Sequence, residues 1–315
     1  MKGDAMPLIT LFTAPKPFVN PHINIIQRNT LRNWLALGDS VEVVVIGDEP
    51  GIAEVCDGFD ILHLPNVRCN ELGTPLISSI FQLAREVNDS PFLVYSNADI
   101  LFFPELVSAV RKLGEKKAQF LGVGQRWDLD IKEPLDFSGD WEDQLRGRVQ
   151  QHGNLHKRTG SDYFIYPRSC FTKIPDFAVG RAGWDNWMIF HARWQGWPLV
   201  DFSSALTVIH QNHDYAHLPN GIKHFFQPET AANIKLAGGR RTIFTLGDHT
   251  HVFDGEILSR KKLDWKSFWR EVEVFPLVRL HSKVLGNLFF GLFHPVKAFN
   301  ELKGWLYYKI KQITK

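Results

Sequence analysis

The chain has 315 residues, 44% of them hydrophobic, and a formal charge of +2. Such a length builds one large domain or two ordinary ones, and so small a net charge argues against a general nucleic-acid binder. Cys56, Cys69 and Cys170 show no metal-ligand spacing and cannot all pair, which fits a reducing, cytoplasmic setting.

The opening MKGDAMPLITLF has too short an apolar run for a signal peptide, and no stretch approaches the ~20 apolar residues of a membrane span. PLITLF, residues 7–12, is the first predicted strand. Asn20-Pro21 then opens a helix, with Asn as N-cap and Pro at the first position; Ile23, Ile26, Leu31, Trp34 and Leu35 form its apolar face, and Gly38 ends it. VEVVVIGD, residues 41–48, is β-branched enough for a strand buried on both faces. DILHL, residues 60–64, makes a third strand, and Thr74-Pro75 starts a second helix carrying Leu76, Ile80, Leu83, Ala84 and Val87. FLVYS is the fourth strand.

Alternating strands and helices imply a parallel sheet with right-handed crossovers, whose ligands bind beyond the carboxyl ends of the strands. Asp48 and Asp99 both fall at such exits. Further on, QFLGVGQ (119–125) is a fifth strand, 127–155 is a polar, acidic excursion, and DYFIY (162–166) is another strand. Residues 183–194 carry Trp184, Trp187, Met188 and His191 at helical spacing. Residues 198–201 and 205–209 are short strands, the latter ending at His210, and 211–251 is loop with a helix near 230–236.

Asn97 and Asp99, two residues apart past a buried strand, can turn their oxygens toward one Mg²⁺ or Mn²⁺. The same residues also suit an Asx turn that ends the strand. In this α/β context, the x-x-Asp near residue 100 resembles the Asp-x-Asp motif of the GT-A superfamily of nucleotide-sugar glycosyltransferases. The resemblance covers roughly residues 7 to 215 in order of elements. It implies a mostly parallel, Rossmann-like central sheet flanked by helices, and a UDP- or GDP-linked sugar donor held with Mn²⁺ or Mg²⁺. Asp99 matches the metal-binding position, while Asn97 departs from the motif and brings no charge. Asp185, in GWDNW, matches the carboxylate that serves inverting members as general base on the acceptor hydroxyl; it is equally suited to complementing a helix dipole. His210, and after it His213, resembles the histidine that completes the metal site. Trp184, Trp187, Trp194 and Trp197 crowd this region, suited to the core and, for one or two, to the face of an acceptor sugar. Asp48, Thr13 and Ala14 border the expected nucleoside. Lys16 and Arg68, and Arg240 and Arg241 in a mobile stretch, could meet the diphosphate; each is equally a candidate solvated charge.

The resulting expectation is a hexosyltransferase, inverting, acting in polysaccharide or glycolipid biosynthesis on a glycan or lipid-linked acceptor, with a catalytic domain over 1–255. Alternatives are a non-catalytic nucleotide-sugar-binding protein and a His-based metallohydrolase using His210, His213, Asp214 and His217, with Asp248, His249 and His251 nearby. A nucleotidylyltransferase is disfavoured because TAPKPFVNP lacks the Gly-rich loop after the first strand.

Residues 256–315 form a helical, basic and aromatic extension. From Arg279 onward, seven basic residues face one acid, Glu301, a net +6. Phe289, Phe290, Leu292 and Phe293, and lysines around Trp305 to Tyr308, give the composition of a helix lying in an anionic membrane interface at the cytoplasmic face. A helix packed on the catalytic domain with solvated lysines would look the same.

Overall fold

The computed structural model describes residues 6–213 and 227–313, with side chains to residue 304. Its first third alternates as expected: β1 (Ile9–Thr13), α1 (Pro21–Leu35), β2 (Val41–Ile46), α2 (Ile52–Phe59), β3 (Leu62–Leu64), α3 (Ile77–Glu86) and β4 (Phe92–Ser96). Asn20 caps α1 by accepting from the His22 and Ile23 amides at 2.9 and 3.1 Å, and Pro21 stands at the first position. Leu35, expected on the apolar face, is exposed. Helix α2 was not foreseen. Ile52, Val55, Cys56 and Phe59 fall at helical spacing, but with only two turns and Gly58 inside it the run is short.

The chain continues through β5 (Ile100–Leu101), α4 (Glu105–Lys116), β6 (Leu121–Val123), β7 (Trp127–Leu129), α5 (Trp141–His152), β8 (Asn154–Leu155), β9 (Tyr163–Pro167), α6 (Trp184–Trp194), β10 (Leu199–Asp201) and β11 (Ile209–Gln211). It closes with α7 (Pro228–Leu236), β12 (His251–Phe253), β13 (Leu258–Arg260), α8 (Trp265–Val278), α9 (Lys283–Phe293) and α10 (Pro295–Ile313).

Nine strands form the main sheet in the order β13-β12-β10-β6-β9-β4-β1-β2-β3. It is mostly parallel, but β9 runs antiparallel between β4 and β6, and β13 antiparallel to β12. Side chains alternate between its faces. Leu11, Val43, Val45 and Val94 join one core with α1 and α4, and Phe12, Val44, Ile46, Leu93 and Tyr95 join the other with α3 and α6. Burial on both faces explains the nearly unbroken apolar strands.

A second sheet, β5-β11-β7-β8, stands beyond the exit of β4. The excursion at 127–155 is therefore structured: it supplies β7, β8 and α5, and a small core of its own built on Trp141, Leu145, Val149, Leu129 and Ile209. The strand expected over 205–209 lies at 209–211 instead, so His210 sits inside it rather than past its end. At the carboxyl side, β13 lies in the main sheet, so the boundary drawn at 255/256 cuts the β12–β13 hairpin, and the helical run begins at Trp265. Val274, Leu277 and Val278 tie α8 into the second core.

Candidate metal centre and active site

The exits of β1, β2 and β4 are neighbours on one edge of the sheet. There the structure brings together Thr13, Asp48 and the turn Asn97–Asp99, in keeping with ligand binding at carboxyl ends of parallel strands. The small sheet adds the rest. His210 pairs with Ile100 on one side and with Asp128 on the other, and the Gln211 amide donates to the Asp99 carbonyl at 3.0 Å.

Helix α1 bolts these strands down with buried polar groups. Trp34 donates from Nε1 to the Ile100 carbonyl (3.0 Å), and the Asn33 side chain bonds both the carbonyl and the amide of Phe102. Gln211, fully buried, donates to Ile26 O and Thr30 Oγ1 and accepts from Asn29 Nδ2. Each of these groups is satisfied, so hydrogen bonds offset the cost of desolvating the polar network that orients the strands.

Asp99, His210 and His213 converge, with one ligand atom from each lying within 4.8 Å of the others; they are the one such His/Cys/Asp/Glu group among the described residues. His213 Nε2 is 3.1 Å from Asp99 Oδ2, and His210 Nε2 is 3.8 Å from it. Asp99 Oδ1 is buried with no hydrogen-bond partner, a vacant acceptor. Burial alone would raise the Asp99 pKa, but the His213 hydrogen bond and the charges of His210 and Lys16 outweigh it and hold the carboxyl at about 2. One carboxylate and two imidazoles suit Mn²⁺, iron or zinc better than Mg²⁺, which prefers an all-oxygen shell. The three residues therefore fit a divalent transition metal.

Around them stands a charged frame that the sequence reading missed. Asp128 Oδ1 lies 3.1 Å from His210 Nδ1, off the line of a straight hydrogen bond, and its Oδ2 is 2.7 Å from His156 Nδ1. Arg126 holds both Asp128 (3.0 Å) and Asp162. Burial opposes ionisation of Asp128, yet His210, His156 and Arg126 together pull its pKa well below the usual range. Burial lowers the His210 pKa, and Asp128 and Asp99 more than reverse it, leaving it raised. Asn97 belongs to this frame too. Its Nδ2 donates to Asp162 Oδ1 at 3.1 Å, and its Oδ1 accepts from the Tyr95 hydroxyl at 3.4 Å. Asp128 and Asp162 lie 29 and 63 residues beyond Asp99, in WDL and in the residue before β9. Only an acid placed just before or within a strand could have flagged them.

Asp185 opens α6, its Oδ1 accepting from the Gly183 amide at 3.1 Å. Gly183 has φ +111°, a conformation that favours glycine. Asn233 of α7 fixes the approach to this turn through the Ala178 backbone, bonding both its amide and its carbonyl. Burial raises the Asp185 pKa; backbone amides oppose the rise, and Asp162 adds to it. Burial raises the pKa of the Tyr95 hydroxyl, and the charges of Asp99, Asp162 and Asp185 add to the rise.

Other expected residues are placed differently. Thr13 is fully buried, its Oγ1 unpartnered, Ala14 packs against the second core, and Asp48 is exposed. Arg68 binds Ser78 and Asp176 on the surface. Arg240 and Arg241 form a 3-10 turn rather than a mobile stretch. Arg241 lies over the Phe290 ring, 3.3 Å from its centre, and pairs with Asn287 and Glu301, so it is engaged by α9 and α10. Arg240 approaches Glu301 at 4.0 Å. Trp184 and Trp187 are buried in the core, and Trp194 and Trp197 sit in aromatic clusters with His281 and with Phe171 and His191. Asp248, His249 and His251 do not join the metal group: Asp248 holds Arg270, His249 binds the Leu246 carbonyl and His251 the Thr250 hydroxyl. Asp214 and His217 lie outside the described residues.

No family model matches the chain. No curated protein matches it either. Among solved structures it is similar to glucosyl-3-phosphoglycerate synthase from Mycobacterium tuberculosis in complex with Mn²⁺, UDP and phosphoglyceric acid, with 15% identity, 76% of this chain and 81% of that one covered, and a TM-score of 0.44. It is also similar to residues 1–349 of S. aureus TarS (12% identity, 66% and 58% covered, TM-score 0.39). A third likeness is to the mannosyltransferase PcManGT from Pyrobaculum calidifontis in complex with GDP-Man and Mn²⁺ (12% identity, 68% and 59% covered, TM-score 0.41).

Proposed function

We propose that the chain is a GT-A-type glycosyltransferase that moves a hexose from a UDP- or GDP-linked donor to a hydroxyl of a glycan or lipid-linked acceptor, with inversion, at the cytoplasmic side. The observation that carries the reading is the Asp99–His210–His213 group at the carboxyl edge of a mostly parallel sheet, with an unpartnered carboxylate oxygen in it. These three residues would hold Mn²⁺, with Asn97 as a neighbour in the same turn. A bound ion would supply positive charge to the donor diphosphate of the leaving group.

The chain's own residues do the rest. Lys16 adds a cation beside Asp99, which further favours a phosphate at that edge. Thr13 and Asp48 border the nucleoside at the exits of β1 and β2. Asp128 stands 3.1 Å from the other ring nitrogen of His210, the place an outer carboxylate takes behind a ligating histidine. Asp185 takes the acceptor proton at its carboxylate; its raised pKa makes it a stronger base than a solvated aspartate.

Calorimetric titration of UDP and GDP, with and without Mn²⁺, tests this reading. Mn²⁺ is expected to tighten one nucleotide by roughly tenfold or more. Nucleotide binding indifferent to metal overturns it. The two-histidine, one-carboxylate set also suits zinc hydrolysis, and zinc retained through purification with no nucleotide response would favour that alternative.

A further inference from the structure

The C-terminal helices leave an apolar surface uncovered. More than half of the exposed large hydrophobic side chains among the described residues fall within residues 265–302. Helix α9 meets the body through Gly286, where an added Cβ would stand 3.2 Å from Leu277 Cβ, so this edge is fixed against α8. With about 3.6 residues per turn, Val284, Leu288 and Leu292 lie on the side opposite Gly286. They are 72, 63 and 74% exposed. Helix α10 continues the surface with Val296, Phe299 and Leu302, also exposed.

Charge identifies what covers it. Lys283, Lys297 and Lys303 are exposed on the same two helices, Lys303 on the Phe299 side of α10 and the other two at the rim toward the body. The segment from Arg279 carries seven basic residues against Glu301, and Glu301 is already paired with Arg241. Among residues with described side chains the segment carries Arg279, Lys283, Lys297 and Lys303 against Glu301, so a second copy would set a net +3 against +3. An anionic surface complements it. Among the described residues no helix is long and apolar enough to cross a membrane, so the helices would lie on a bilayer.

We infer that α9 and α10 form a docking surface for a bilayer containing anionic lipid. Apolar side chains enter the headgroup boundary and lysines meet the negative leaflet. The inference does not depend on the chemistry at Asp99.

Co-sedimentation of the full chain with vesicles tests it, using phosphatidylcholine alone and phosphatidylcholine mixed with phosphatidylglycerol. The protein is expected to pellet with the mixed vesicles, with release at high salt as the Debye length shrinks to about 3 Å at 1 M. Leu288→Asp with Leu292→Asp is expected to weaken partitioning by roughly tenfold or more. Because both side chains face solvent, the melting curve of this variant is expected to overlay that of wild type, which separates lost docking from lost folding. No pelleting with the anionic vesicles, or equal pelleting of the variant, overturns the inference. So does a dimer in light scattering that dissociates in the variant while neither protein binds vesicles.

Discussion

Replacing Asp99 by Asn keeps an acceptor for His213 and nearly the same shape, but removes the charge at the centre of the metal group. In metal-free protein the two forms are expected to differ by at most about 1.5–3 kcal/mol, the range for one charged hydrogen bond. Metal separates them further. At about 100 times its dissociation constant, Mn²⁺ stabilises the folded state by about 2.7 kcal/mol. At roughly 2 °C per kcal/mol for a large domain, the wild-type melting point rises by about 5 °C. Loss of even an outer partner of a metal ligand weakens binding roughly 10- to 100-fold, and loss of a ligand itself should cost no less. A 100-fold loss leaves about 0.4 kcal/mol of stabilisation at the same metal concentration, a shift of only about 1 °C. Scanning fluorimetry of both proteins in EDTA and in Mn²⁺ reads the difference. Equal shifts in wild type and variant, or none in wild type, would refute the assignment of Asp99 as a ligand.

Asp185→Asn should retain Mn²⁺-dependent nucleotide binding while transfer, to acceptor or to water, falls about 10²- to 10⁴-fold. In wild type the rate should decline as pH drops through a midpoint above 3.8, because the base must be ionised and burial raises its pKa; a flat profile down to pH 4 would count against the role. His191 predicts a pH dependence of stability instead. Burial lowers its pKa from 6.5 to about 4, so the folded state resists a proton that the unfolded chain accepts. Stability is therefore complete above pH 6.5 and falls between there and about 4, by up to roughly 3 kcal/mol. His191→Phe, which can keep the stacking on Trp187 (4.5 Å between ring centres), should flatten that interval in urea melts; an unchanged slope would dismiss it.

The residues that could be read from sequence were those whose signals are local. Asn20-Pro21 announces a helix start within two residues, and the apolar runs of β1, β2 and β4 announce buried strands. Asp99 and His210 stood out because acids and histidines are rare within such runs. What escaped depends on partners distant in the chain. The direction of β9 is set by pairing with β4, not by anything in YFIYP. Asp128 is indistinguishable from other acids in a polar stretch until β7 lays it beside His210. Arg241 read as a free cation because Phe290 and Glu301, which engage it, come 49 and 60 residues later.

The β7–β8 pairing gives the excursion an unusual freedom. Trp127 pairs with Leu155 and Asp128 with Asn154, so both ends of the intervening segment are clasped at one point beside the metal group. Residues 131–135 are further held on α1 by His22 and Asn29, so the stretch whose length is uncoupled from Asp128 lies beyond Leu135. Closing a loop twice as long costs only about 0.6 kcal/mol more, while α5 stays seated on Leu101, Phe103 and Ile209. Segments of other lengths and shapes could be grafted between Leu135 and β8 while Asp128 stays in register with His210, which makes this span the natural place to reshape what approaches the candidate site.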